Sequence, residues 1–215
     1  MPGTWDSGSL APQEALQRLV DGNRRFLEPG ASLVDRSFRS ELAHQSQRPF
    51  AVVLGCSDSR TPVEILFDVG FGDLFVVRIA GQVIAPSGVG SIEFAVSEFG
   101  TRLVVVLGHT RCGAISATVR ELHSGEGAQS KNIRAITDRI SPHIEGFVRS
   151  QKQSMEPALL RESMRINVRA SADHLRHGSR MLEDLVMDGQ IAIVGAEYEL
   201  ETGQVNFFHG LPLTP

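Results

Sequence analysis

Phe50-Ala51-Val52-Val53-Leu54-Gly55 is the stretch that decides the fold of this chain. It is a short, continuous apolar run, rich in valine and preceded by Pro49. Such a run is typical of a strand that is buried on both faces, as in a parallel sheet covered by helices. Residues 74–79 and 103–108 repeat the pattern. We therefore expect three neighbouring strands in one sheet.

Helical patterns alternate with these strands. The first helical segment, residues 12–27, begins with Pro12, a residue that is common at the first position of a helix. The other helical segments are residues 88–99, residues 113–122, a helix within 128–146 and a long stretch over 160–188. Strands that alternate with helices indicate a parallel sheet.

The C-terminal part predicts two more strands. Residues 191–198 give a fourth parallel strand, and residues 204–209 turn back to pair with it in antiparallel orientation. The predicted fold class is therefore α/β: a mostly parallel central sheet, with four parallel strands plus an antiparallel edge strand, flanked by helices and carrying an N-terminal helical arm. Because no repeat or composition shift divides the chain, we expect one domain over 1–215, with a flexible stretch at 1–11.

Composition favours an ordinary enzyme that acts on small solutes. Of the 215 residues 41% are hydrophobic and 21% are charged, and the net charge is −4. No basic stripe marks a nucleic-acid or anionic-membrane surface. No segment reaches the ~20 apolar residues of a membrane helix, and the start MPGTWDSGSL lacks the pattern of a signal peptide. We expect a cytoplasmic protein.

The only two cysteines lie in two short motifs, CSDSR at residues 56–60 and HTRC at 109–112, each directly after a predicted strand. Strand ends of a parallel sheet meet at one edge, so Cys56, His109 and Cys112 could come together there. Two thiolates and one imidazole are a ligand set that zinc prefers. Three protein ligands leave a fourth position for water or substrate, which favours a catalytic zinc site over a structural one. Asp58 is the local alternative for the fourth ligand.

Other interpretations of these residues stay open. Cys56 and Cys112 could form a disulfide, although a reducing compartment disfavours it, or they could be ordinary buried thiols. Asp58 and Arg60 could be no more than a solvated ion pair.

Together with GHTRCGA at residues 108–114 and GDLFVVRIAG at 72–81, CSDSR resembles the β-class carbonic anhydrases. The resemblance spans residues 12–209. One segment departs from the family pattern, because residues 78–82 are RIAGQ where the family commonly has Arg-Asn-Ala-Gly-Asn.

The resemblance implies one zinc ion per subunit on Cys56, His109 and Cys112, beside a catalytic dyad of Asp58 and Arg60. The implied reaction is the reversible hydration of carbon dioxide to bicarbonate and a proton by zinc-bound hydroxide. Arg60 should keep Asp58 ionised, so that the carboxylate accepts a hydrogen bond from the reacting water. In some family members the matching aspartate becomes the fourth zinc ligand in an inactive, closed state.

The resemblance also implies substrate-binding residues and a homo-oligomer. Gln47 matches a glutamine that points at bicarbonate, and Phe75, Ala80 and Phe94 match apolar pocket positions. Pocket groups come partly from a neighbouring subunit in the family, which implies a dimer or a tetramer built from dimers. Taken alone, the two phenylalanines could be core residues and Gln47 a solvated loop residue.

Two other functions compete with this one. Relatives with the same fold hydrolyse carbonyl sulfide or carbon disulfide with the same metal ligands. The presence of Gln47 and of the CSDSR motif favours a carbonic anhydrase over these hydrolases. A non-enzymatic protein whose zinc only organises a dimer is the second, and the intact Asp58–Arg60 pair argues against it.

Overall fold

A computed structural model of the protein describes residues 9–28, 30, 42–127, 130–151 and 155–211. The strands are β1 (Ala51–Gly55), β2 (Leu74–Arg78), β3 (Leu103–His109), β4 (Ala192–Tyr198) and β5 (Val205–His209). They form one sheet in the order β2-β1-β3-β4-β5, in which β5 pairs antiparallel with β4 and the other neighbours are parallel. This confirms the predicted fold class.

The described helices are α1 (Pro12–Leu27), α2 (Val63–Leu66), α3 (Pro86–Phe99), α4 (Gly113–Ser124), α5 (Lys131–Ser150), α6 (Pro157–Gly178) and α7 (Arg180–Met187), with a 3-10 turn at Ala80–Gln82. None of these helices combines the length and the apolar character needed to cross a lipid bilayer. The single domain over 1–215 stays a prediction, and most of the stretch predicted to be flexible, residues 1–8, lies outside the described residues.

Two helical predictions need correction. The stretch predicted over 160–188 is divided at Ser179, whose hydroxyl accepts the Leu182 N–H and starts α7 as an N-cap. The helix expected within 128–146 continues as α5 to Ser150, through Pro142. Burial explains this, because Ile140, Ile144 and Val148 recur every four residues and all face the core.

The sheet separates two apolar cores. Successive side chains of a strand point to opposite faces, so Val52 and Leu54 join the core covered by α3 to α7, whereas Ala51 and Val53 join the core on the other face. The N-terminal helix α1 packs on that second face through Ala15 and Leu19, both fully buried. A sheet covered on both sides gives a rigid frame, from which loops emerge at the carboxyl ends of the strands.

Candidate metal and catalytic site

Three buried side chains that can ligate a metal meet at the carboxyl edge of the sheet. Cys56 is the first residue after β1, His109 is the last residue of β3, and Cys112 directly precedes α4. Their ligand atoms all lie within 4.8 Å of one another. The structure thus brings together all three predicted ligands, and both cysteines are free thiols.

The orientation of His109 suits a metal ligand. Its Nδ1 lies 2.9 Å from the backbone oxygen of Thr110, which can only accept, so Nδ1 carries the proton. The lone pair is therefore on Nε2, which is buried and has no hydrogen-bond partner among the described residues. A buried acceptor without a partner is costly unless a cation fills the place. This observation, together with the two thiols, fits zinc.

The two thiols share one proton. The pKa of Cys56 is lowered, first because the Cys112 side chain donates a hydrogen bond to it and also because the Gly81 N–H donates to its sulfur. The pKa of Cys112 is raised, because its thiol proton is held in a hydrogen bond to the sulfur of Cys56 and because its own sulfur is buried. A dication that displaced this shared proton would be bound by two thiolates.

Asp58 is locked to Arg60 beside the three ligands. Arg60 donates from Nε to Oδ1 at 2.9 Å and from Nη2 to Oδ2 at 2.7 Å, a two-point pairing. The side-chain hydrogen bonds from Arg60 hold the pKa of the Asp58 carboxyl well below its usual range. The carboxylate is therefore ionised, and Oδ2 lies 3.9 Å from Nε2 of His109.

Two residues that the sequence analysis did not single out hold the loop that carries Cys56 and Asp58. Arg78, at the end of β2, donates to the backbone oxygens of Cys56 and Asp58. The Thr61 hydroxyl donates to the backbone oxygen of Asp58 at 2.9 Å. An arginine at the end of a predicted neighbouring strand was the available signal, because parallel strands end at one edge.

The structure places the four predicted substrate residues in different surroundings. Ala80 opens the 3-10 turn, next to Gly81, whose N–H donates to Cys56 Sγ. The rings of Phe75 and Phe94 both pack on Phe99, with centroid distances of 6.1 and 5.4 Å. Phe94 is 52% exposed. Gln47 is exposed in the segment before β1. The roles of all four stay predictions.

Comparison with known proteins agrees with this geometry. A family model described as "Carbonic anhydrase" matches residues 51–205, more than half of the chain. The carbonic anhydrase of Mycolicibacterium smegmatis is 40% identical over 199 residues, which are 90% of this chain and 92% of that protein. Carbonic anhydrase 2 of Mycobacterium tuberculosis is 35% identical over 200 residues, which are 90% and 91% of the two chains.

The fold also matches solved structures. Tetrameric β-carbonic anhydrases are described from Sordaria macrospora, and one such chain superposes with a TM-score of 0.71 at 19% identity. The match covers 80% of this chain and 85% of that one. At this identity the superposition supports the fold alone, whereas the family model and the mycobacterial relatives support membership of the family. The chain therefore belongs to the β-class carbonic anhydrase family.

Proposed function

We propose that this protein is a zinc-dependent carbonic anhydrase, a lyase that reversibly hydrates carbon dioxide to bicarbonate and a proton. One observation carries the proposal: a buried Cys56, His109 and Cys112 group lies beside an aspartate that is fixed by Arg60. The name shared by its mycobacterial relatives supports the activity.

The three buried ligands would hold one zinc ion per subunit. When bound, zinc lowers the pKa of a water molecule so that it can attack the carbon of the substrate near neutral pH. The two cysteine thiolates offset the charge of the dication, so they make that water less acidic than three neutral histidines would. We therefore expect activity to be favoured at alkaline pH.

Asp58 has the properties of a residue that orients the reacting water. An ionised carboxylate can only accept hydrogen bonds, so Asp58 accepts from the water and fixes where its oxygen points. Arg60 supports this role by keeping the carboxylate charged. The 3.9 Å between Asp58 Oδ2 and His109 Nε2 is also short enough for Asp58 to become a fourth ligand if it leaves Arg60. Such a closed state would be inactive.

We propose that Gln47, Phe75, Ala80 and Phe94 shape the substrate site. Carbon dioxide is apolar, and an apolar wall with one amide donor suits both the substrate and its anionic product. Phe94 is a large aromatic side chain exposed on α3, as expected if this part of the site is completed by a second copy. A dimer or a tetramer agrees with the tetrameric Sordaria enzymes that share the fold. The cytoplasmic location stays a prediction.

The test is stopped-flow hydration of carbon dioxide by protein whose zinc content is measured by elemental analysis, at several pH values. We expect turnover that is proportional to zinc content and rises towards alkaline pH. Stoichiometric zinc with no hydration at any pH would overturn the proposal. Carbonyl sulfide and carbon disulfide would then be the next substrates to assay.

A further inference from the structure

A chain of three hydrogen bonds runs from α5 to the first thiol ligand. His143 Nδ1 on α5 lies 2.9 Å from Oδ1 of Asn167 on α6. Asn167 Nδ2 donates to the Gly81 oxygen at 3.1 Å, and the Gly81 N–H donates to Cys56 Sγ at 3.2 Å. Neither His143 nor Asn167 belongs to the two cysteine motifs, and Asn167 is fully buried.

The direction of each bond follows from the groups involved. The amide oxygen of Asn167 can only accept, so Nδ1 of His143 must carry a proton and donate. The amide nitrogen of Asn167 then faces the Gly81 oxygen, which is also only an acceptor. His143 thereby fixes which way the Asn167 amide points.

Gly81 needs such a restraint. Its φ of +67° lies in the left-handed region, and glycine moves between conformations at little cost, so an added hydrogen bond to its peptide helps to keep the N–H aimed at Cys56. A side chain could not stiffen the turn, because a Cβ at this position would lie 2.8 Å from Ile140 Cδ1 and 3.0 Å from Ala114 Cβ. The backbone of the turn is closed by a hydrogen bond from the Gln82 N–H to the Ile79 oxygen at 2.8 Å, and the Gly81 oxygen is held in addition from outside the turn by Asn167.

We infer that Asn167, oriented by His143, is a positioning residue for the metal site. By holding the Gly81 oxygen, it keeps the Gly81 N–H on Cys56 Sγ, which fixes the sulfur and draws electron density from it. The inference rests on the proposed zinc site. Removing a group that hydrogen-bonds a metal ligand directly typically lowers metal affinity 10- to 100-fold, and Asn167 acts one hydrogen bond further out, so we expect an effect at the lower end of this range.

The test is Asn167→Leu, which keeps similar volume but removes both hydrogen bonds of the amide. We expect zinc affinity, measured by competition with a chromophoric chelator, to fall about tenfold. In the cobalt(II)-substituted protein, the sulfur-to-cobalt charge-transfer band should shift, because the thiolate has lost a donor. Unchanged zinc affinity and an unchanged band would overturn the inference.

Variants of His143 test the same series of hydrogen bonds without altering the buried Asn167. His143→Leu should weaken zinc binding and shift the band in the same direction, and it should add nothing in the Asn167→Leu background. His143→Asn should restore both properties, because its amide nitrogen can replace the Nδ1 donor. These variants decide the question if Asn167→Leu does not fold, and wild-type zinc affinity in His143→Leu would overturn the inference.

Asn23 offers a matched control. It is a buried asparagine on α1 whose amide donates to the backbone oxygens of Leu66 and Gly203. Asn23→Leu should lower stability but leave zinc affinity and the cobalt band unchanged. The same zinc loss in Asn23→Leu would show a merely structural effect and overturn the inference. Wild-type protein that bound no zinc would overturn the proposed site itself, an outcome distinct from equal binding by wild type and variants.

Discussion

Oδ2 of Asp58 lies 3.9 Å from Nε2 of His109, even though both oxygens of the carboxylate are paired with Arg60. Asp58 thus has an arginine on one side and the candidate metal position on the other. The arginine pairing keeps the carboxylate charged and available as an acceptor. The balance between these two partners underlies the first prediction.

Asp58→Asn should separate metal binding from catalysis. The amide has nearly the same shape but no charge, so its pairing with Arg60 is weakened, while the three ligands are untouched. We expect full zinc content and a rate of hydration that is reduced about 100-fold, as is typical when a group that accepts a hydrogen bond from the reacting water is lost. Asp21→Asn is the control, because Asp21 forms an ion pair with Arg24 on α1. Undiminished hydration by the zinc-loaded variant would remove Asp58 from the mechanism.

Cys56→Ser and His109→Ala should each lose zinc. Each change leaves only two of the three proposed ligands with their preferred donor atoms, and two ligands hold zinc weakly. Elemental analysis after dialysis against a chelator measures the loss. His177→Ala should retain zinc, because that histidine is exposed on α6 and pairs with Glu183. Stoichiometric zinc in either ligand variant would refute the proposed ligand set.

The strands and the metal ligands could be predicted because their signals are local. The apolar run of β1 needs only its own residues, and Cys56 and His109 stand at the ends of such runs. The topology of a parallel sheet then brings them together. Asn167 could not be predicted in the same way. It reaches Gly81 across 86 positions of sequence, and nothing near it distinguishes it from other helical asparagines.

Two helix boundaries were missed for a related reason. Local pattern favours one helix over 160–188, and only the three-dimensional fold shows the change of direction capped by Ser179. Likewise, Pro142 locally predicts an interruption in α5. The burial of Ile144 and Val148 beyond it outweighs that cost, which is a tertiary effect.

Gly108→Ala should destabilise the protein. A Cβ at Gly108 would lie 2.6 Å from Val168 Cγ2 and would also meet Met164, so these side chains would have to shift within the packed contact between α6 and the sheet. We expect a loss of about 2 kcal/mol in the free energy of urea unfolding. Gly146→Ala in α5 is the matched control, because nothing lies within 4 Å of its added Cβ. It should be stabilising by about 0.5 kcal/mol, and equal effects of the two changes would contradict the packing argument.

Arg161→Met should also be destabilising, for an electrostatic reason. Glu197 is only 1% exposed, and Arg161 contacts its two oxygens at 2.6 and 3.1 Å. Without Arg161, the charged partner that the described residues leave to this buried carboxylate is Arg165 at 3.9 Å, so we expect a loss of about 3 kcal/mol in urea unfolding. Arg149→Met, which breaks an exposed pair with Glu145, should cost below about 0.5 kcal/mol. A similar small loss for both variants would show that the buried pair is not structural.

Asp58 should keep its negative charge at acid pH. Because Arg60 lowers the pKa of this carboxyl in the folded protein, the unfolded chain binds the proton more tightly. The contribution of the pair to stability is therefore present above about pH 4, the ordinary carboxyl value, and is lost as the pH falls through the folded value. Carbon-13 NMR of the aspartate carboxyl groups should show Asp58 still ionised at about pH 3.

Arg60→Gln tests the cause of this shift. Without the guanidinium, the titration midpoint of Asp58 should rise towards about 4, and Arg24→Gln on α1 should leave it unchanged. If the wild-type Asp58 carboxyl titrated at its ordinary value, Arg60 would not control its charge. A loss of hydration activity below about pH 5 would then be assigned to protonation of Asp58, to protonation of the reacting water or to the closed state. If the carboxyl remains ionised as predicted, direct protonation of Asp58 is excluded as the cause of that loss.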